Sequence, residues 1–302
     1  PSNGTDLSFP VSLIKCRNQT RCIEPSLQLQ RQYKVYYCNK VSYGVRFYYL
    51  IREGLLHHPN INLVDSPQEA EVIVYLPESA NWKKSECGKM EFRKKMVVLD
   101  ETDGPDLFSL PQQPHGGLRE WLLYFKRSFV NRRDGEFKGY MPYLLKHSGV
   151  LPMTYTIADA YVRPNFKFLK TRDMEVVTTL RGHARDPTRL RVRNWIDEYC
   201  SSRNIKDKCV LGQVNSASRT VVSNNYLESM YRGKIVVTSN PSGWEGDFRL
   251  MEAIASGALI MVDTMHVPRP HPLIHEKHLV YYDDANKTDL FAKLDKYRAD
   301  EE

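Results

Sequence analysis

Apolar residues along this chain gather into short runs, and between the runs they recur at helical spacing. Lys34-Val35-Tyr36-Tyr37, Glu71-Val72-Ile73-Val74-Tyr75-Leu76 and Lys94 to Leu99 read as strands, the second closed by Pro77. Apolar runs of about four to eight residues with β-branched and aromatic content have the length and packing preference of buried strands. Val45 to Leu56 carries its apolar residues at the spacing of one helix face, and Asp65-Ser66-Pro67 opens a turn or short helix. Val150 to Ile157 supplies one or two extended pieces.

A second series begins after Pro164. Glu175 to Leu180 is a β-branched strand. Thr188 to Cys200 is a helix with Leu190, Trp195, Ile196 and Tyr199 as its apolar residues, and Asn225 to Tyr231 is another. Lys234 to Thr238 is a strand, a short helix follows and stops at Gly257, and Leu259 to Val262 is again a strand. A polar helix spans Asp289 to Arg298. Strands that alternate with helices build parallel sheets with crossover helices. The expected fold class is α/β, with two Rossmann-like domains facing a cleft. A length of 302 residues suits two domains. The expected division is a stem or wrapping segment over 1–32, an N-terminal domain over 33–165 and a C-terminal domain over 166–302. The linker is expected around Val162 to Thr171.

The stretch Ser239 to Asp263, SNPSGWEGDFRLMEAIASGALIMVD, places a helix between a glycine-bearing loop and a buried strand. In open α/β sheets, ligands bind beyond the C-terminal ends of strands. Helix N-termini offer unpaired amides and partial positive charge to an anion. Gly243 and Gly246 let backbone approach a ligand, Glu245 and Asp247 flank it, and Arg249 offers a planar fork of donors to a diphosphate. Glu252, one turn on, is an acceptor for ribose hydroxyls. Two other roles stand beside these: Asp247 as a helix N-cap, and Glu252 as a solvated acid or a partner of Arg249. Phe248, Met251, Ile254 and Ala255 suit the core. The loop is neither GxGxxG nor a Walker sequence, which disfavours ordinary dehydrogenases and P-loop kinases.

These residues resemble the exostosin-like glycosyltransferases of the two-domain GT-B type. The resemblance is carried by Tyr226-Leu227-Glu228-Ser229-Met230-Tyr231, then Ile235 to Gly243, then Arg249-Leu250-Met251-Glu252-Ala253-Ile254-Ala255-Ser256-Gly257 and the strand to Asp263. It covers about forty residues. Weaker echoes lie at Asp65 to Val72 and at Thr179-Leu180-Arg181-Gly182. The family usually has Cys and Pro where this chain has Ala258 and Ile260. The resemblance implies an inverting enzyme that takes a nucleotide sugar, often a UDP-sugar, as donor, with no obligatory cofactor, and passes the sugar to a glycan or glycoprotein acceptor in the Golgi lumen. A non-catalytic glycan- or nucleotide-binding protein on a degenerate transferase fold is the alternative.

Two further clusters bear on that chemistry. Asp100-Glu101-Thr102-Asp103 ends an apolar strand. It is similar to the acidic metal site of the other main glycosyltransferase architecture, but its spacing is wrong for a strict DxD. No metal is expected, and Glu101 or Asp103 becomes the candidate base for an acceptor hydroxyl. Otherwise the segment is an Asp-Gly turn with a capping acid. Arg181, His183 and Arg185 face the diphosphate across from Arg249, or else form a solvated basic loop running on into Arg189, Arg191 and Arg193.

Composition narrows the setting. The net charge of +7 favours anionic partners, yet no zinc-finger, helix-turn-helix or RNP pattern supports nucleic acid. No apolar run is long enough to span a membrane. The chain opens on Pro1 rather than Met, so a signal or anchor segment is expected ahead of it, as in a type II membrane protein. Six cysteines and three N-x-S/T sequons, at Asn3, Asn18 and Asn286, point to an oxidising secretory lumen. Disulfides are expected within Cys16–Cys22 and Cys200–Cys209, with Cys38–Cys87 the third pair.

Overall fold

Among the described residues, six parallel strands build the first sheet and five the second. The structure, a computed structural model, describes residues 31–38, 46–76, 87, 90–101, 121–127, 150–157, 171–180, 186–212, 224–241, 247–265 and 272–300. The expected stem, except for its last two residues, and all but the final residue of the expected linker lie outside them.

The first sheet contains β1 (Tyr33–Tyr37), β2 (Ile61–Leu63), β3 (Val72–Tyr75), β4 (Met96–Asp100), β5 (Leu123–Lys126) and β6 (Val150–Pro152), in the order β2-β1-β3-β4-β5-β6. Helix α1 (Arg46–His57) connects β1 to β2. The second sheet contains β7 (Met174–Thr178), β8 (Cys209–Leu211), β9 (Gly233–Val237), β10 (Leu259–Asp263) and β11 (Val280–Tyr282), in the order β11-β10-β9-β7-β8. Its helices are α2 (Pro187–Ser202), α3 (Asn224–Arg232), α4 (Phe248–Ser256) and α5 (Lys287–Ala299). Numbered from its own first strand, each sheet runs 2-1-3-4-5, and the first adds a sixth strand at its edge. This is the doubly wound order, whose switch point is a ligand site. The α/β expectation of two parallel-sheet units is met.

Side-chain alternation places a core on each face of the second sheet. Val176, Ile235, Val237, Met261, Val280 and Tyr282 pack against Val192, Ile196 and Tyr199 of α2 and Leu290 and Leu294 of α5. Val177, Val236, Ile260 and Val262 pack against Leu227 and Met230 of α3 and Leu250 and Ala253 of α4. Gly257 caps α4 with φ +67°, the left-handed conformation that glycine adopts most readily. In the first sheet, Ile73, Tyr75, Met96, Val98 and Tyr124 form one face; Val35, Val74 and Leu76 form the other, against Ile51 and Leu55 of α1.

Several elements differ from the sequence expectation. β4 starts at Met96, because Met90–Lys95 form a 3₁₀ turn from which Lys95 Nζ reaches the Ala70 carbonyl at 2.9 Å. Strands β2, β5, β8 and β11 were not foreseen. Each has only three or four residues and takes its extended shape from the neighbour it pairs with. Disulfides join Cys38 to Cys87 and Cys200 to Cys209, as expected; Cys16 and Cys22 lie outside the described residues. No helix among the described residues is long and apolar enough to cross a membrane.

The two units meet through α4. Phe248, its first residue, stacks on Tyr155 beyond β6 with ring centroids 3.7 Å apart, and Met251 joins the same apolar cluster with Leu76, Leu99 and Met153. The loops after β6 and β9 are thereby brought together, so C-terminal ends of both sheets converge on one junction.

Candidate functional site

The junction is built from strand ends whose polar groups are fixed by buried hydrogen bonds. Beyond β9, Thr238, Ser239 and Asn240 are buried. Asp263, the last residue of β10, accepts from Ser239 Oγ at 2.9 Å, Asn240 Nδ2 at 2.8 Å and the Asn240 amide at 3.1 Å. Tyr282 Oη donates to the Thr238 carbonyl at 2.8 Å. Three neighbouring strands are thus tied together where the chain turns towards α4.

Asp247 opens α4. Its backbone is extended, and its carboxylate accepts from the Leu250 amide at 3.3 Å, so the N-cap role holds. The same carboxylate pairs with Arg249 at 2.9 Å and, more tightly, with Arg189. Arg189 also holds Asp186 at 3.3 Å and donates through Nε to the Ser239 carbonyl at 3.0 Å. Burial pushes the Asp247 carboxyl up, but the two guanidinium groups outweigh it and leave its pKa below the usual value. Burial depresses the pKa of Arg189, with Asp247 opposing it; in Arg249, Asp247 and Glu252 help override burial and raise the pKa.

Arg249 keeps 13% of its side chain exposed, and its Nε is buried without a hydrogen-bond partner among the described residues. Glu252, 4% exposed, accepts from Tyr226 Oη at 2.7 Å, and Tyr226 Oη lies 3.4 Å from Thr179 Oγ1 just beyond β7. Arg249 and Glu252 therefore sit one helical turn apart. The Glu252 carboxylate is oriented from α3, and the Arg249 guanidinium is oriented by Asp247.

The first sheet contributes from the other side. Arg127, just past β5, donates through Nε to the Glu101 carbonyl at 2.9 Å, and its guanidinium lies 4.4 Å from the centroid of the Tyr155 ring. Tyr155 in turn carries Phe248. A continuous path of contacts thus runs from Glu101 through Arg127 and Tyr155 to the start of α4. The Glu101 residue itself is 2% exposed. Asp100 is wholly interior: it accepts from Lys126 Nζ at 3.3 Å and from Tyr124 Oη, so it serves the core.

Of the residues singled out in the sequence, Asp247, Arg249 and Glu252 come together, and Glu101 joins them through its neighbours. Asp103, Gly243, Glu245, Gly246, Arg181 and His183 lie outside the described residues. Among the described residues, no cluster of three or more His, Cys, Asp or Glu is placed to hold a metal. Of the two alternatives for the basic run, solvation does not hold for Arg189, which is buried. It stands three residues before Val192 and seven before Ile196, on the buried face of α2, and that spacing is the signal that could have found it. Arg127 and Tyr155 carry no local signal.

No protein-family model matches the chain, and no curated protein matches its sequence. Among solved structures, an α1,3-fucosyltransferase is similar at 12% identity, over 80% of this chain and 71% of that one, with a TM-score of 0.38. A GtfA/B complex is similar at 10% identity over 84% of this chain and 54% of that one, with a TM-score of 0.43. Anabaena HepE in complex with UDP and glucose is similar at 8% identity over 88% and 89%, with a TM-score of 0.40. These are likenesses of fold alone.

Proposed function

We propose that this chain is a glycosyltransferase of GT-B type that transfers a sugar from a nucleotide sugar, a UDP-sugar in the first instance, to a glycan or glycoprotein acceptor. The observation that carries the reading is the Arg249 guanidinium at the N-terminus of α4, beyond the C-terminal end of β9, with a buried Nε that lacks a protein acceptor among the described residues. A diphosphate oxygen supplies that acceptor, and the helix N-terminus adds its own attraction for the anion. In this reading Glu252, oriented by Tyr226, accepts from the ribose hydroxyls.

In the proposed reaction the acceptor oxygen attacks the anomeric carbon as the bond to the diphosphate breaks, inverting that carbon. The departing charge falls on the diphosphate, where Arg249 stabilises it. A carboxylate after β4, Asp103 or Glu101, removes the acceptor proton. The residues quoted for the exostosin-like resemblance support this family. The two disulfides fit an oxidising compartment and, with that resemblance, the Golgi lumen. The burial of Glu101 favours the second reading, a nucleotide- or glycan-binding protein without turnover.

Calorimetry with UDP tests the donor site. Loss of the charge-assisted bonds in Arg249→Ala is expected to weaken binding on the order of tenfold to a hundredfold, from about 1.5–3 kcal/mol. Unchanged affinity in the folded variant would remove the phosphate role. Release of UDP from a bound UDP-sugar separates the enzyme from the binding protein, which releases none.

A further inference from the structure

The sequon Asn286-Lys287-Thr288 lies where the chain leaves β11 and enters α5. Asn286 is the N-cap of that helix. Its backbone is extended, and its Oδ1 accepts from the amides of Thr288 at 3.1 Å and Asp289 at 3.3 Å. A carboxamide has two ends, and only the oxygen is used here. Among the described residues Nδ2 donates to nothing, and the residue is exposed. Thr288 is exposed as well.

The charged neighbours are drawn elsewhere. Lys287 Nζ reaches Glu198 at 2.7 Å, and the Asp289 carboxylate takes Lys293 Nζ at 2.7 Å and the Asp283 amide at 2.9 Å. The Cys38–Cys87 and Cys200–Cys209 disulfides mark an oxidising compartment, the setting in which asparagine side chains are glycosylated.

We propose that Asn286 is a site of N-linked glycosylation. Nδ2 attacks the anomeric carbon of an oligosaccharide carried on a lipid pyrophosphate. The carbon–nitrogen bond forms, the carbon–oxygen bond breaks with its electron pair on the departing lipid pyrophosphate, and one Nδ2 proton is lost. The product retains Oδ1, so both capping bonds survive and α5 keeps its N-cap beneath the glycan. The site stands beyond β11, the edge strand of the second sheet, two strands away from β9. A glycan there flanks the junction without filling it. Nothing in this proposal depends on donor binding by Arg249.

The test is expression of the full chain, with a secretion signal, in eukaryotic cells. The total chain from cells and medium is then treated with peptide-N-glycosidase in heavy-oxygen water. The peptide containing Asn286 is expected to be converted to Asp with one heavy oxygen. Thr288→Ala is expected to lose this label and Thr288→Ser to retain it. Asn286→Asp loses the glycan but keeps a capping carboxylate, so the deglycosylated chain and this variant should share one melting temperature. An unlabelled Asn286 peptide in the wild-type chain would overturn the proposal, as would a label that persists in Thr288→Ala.

Discussion

At the end of β4, the first sheet seals Asp100 against Lys126 and Tyr124, with neither ion exposed. At the start of α4, the second unit sets Asp247 between Arg189 and Arg249, and Arg249 still reaches solvent. The two sheets share a strand order, so topology does not separate them. What differs is how fully the donors are matched and whether they reach solvent. Asp100 and Lys126 meet inside the core, where Tyr124 also donates to the carboxylate. Asp247 and Asp186 hold Arg189, Asp247 also holds Arg249, and the buried Arg249 Nε still has no acceptor among the described residues. The first arrangement serves the core, and the second is the one to which the proposed diphosphate contact is assigned.

The sharpest way to break this comparison is to unpair the scaffold ions. Lys126→Ala removes the cation that faces the buried Asp100 carboxylate, and is expected to cost about 3–5 kcal/mol in urea unfolding. The double variant Asp100→Leu/Lys126→Met removes both charges and should recover most of that loss. A cost below about 1 kcal/mol for the single variant would show that the pair is solvated and the contrast false.

The disulfides extend the contrast to covalent links. Cys38–Cys87 spans 49 positions of sequence and Cys200–Cys209 only 9. Loop-closure entropy assigns them about 4 and about 3 kcal/mol respectively. Replacing each pair by alanines and comparing thermal unfolding should therefore hurt the first unit more. The reverse order would place more of the stabilisation in native packing around Cys200.

Acid titration sharpens the Asp247 side. Its pKa in the folded chain is lowered, so the stability it contributes is present above its unfolded pKa of about 3.9 and is lost as pH falls through the folded value. Asp247→Asn should be less stable than wild type near pH 7, and the gap should close as pH falls below about 4. A gap independent of pH would mean that the carboxylate's charge contributes nothing.

The smallest expected effects concern the Glu252 support. Tyr226→Phe removes the hydrogen bond that orients Glu252, together with the longer one from Thr179; loss of the first, worth about 0.5–1.5 kcal/mol, should weaken UDP binding by about two- to tenfold. Glu252→Gln should weaken it less than Arg249→Ala does, because an amide still accepts from a hydroxyl. If Tyr226→Phe changes affinity as much as Arg249→Ala, the tyrosine touches the nucleotide itself.

Much of this protein was legible in its residue order. Apolar runs at β1, β3, β4, β7, β9 and β10 and helical spacing at α2, α3 and α4 declared the alternation, and Gly257 declared the end of α4, because these signals act within a few residues. The sequence also presented Asp247, Arg249 and Glu252 as one group, since a single helix carries all three. Other features were decided only by the tertiary structure. The short strands β2, β5, β8 and β11 exist because a neighbour pairs with them. Arg189 finds Asp247 across 58 positions, and Arg127 reaches the junction through Tyr155 and Phe248. A charge declares itself locally, but its partner, and hence whether it is solvated, buried or left with donors to spare, is set by which distant segments the two sheets bring together.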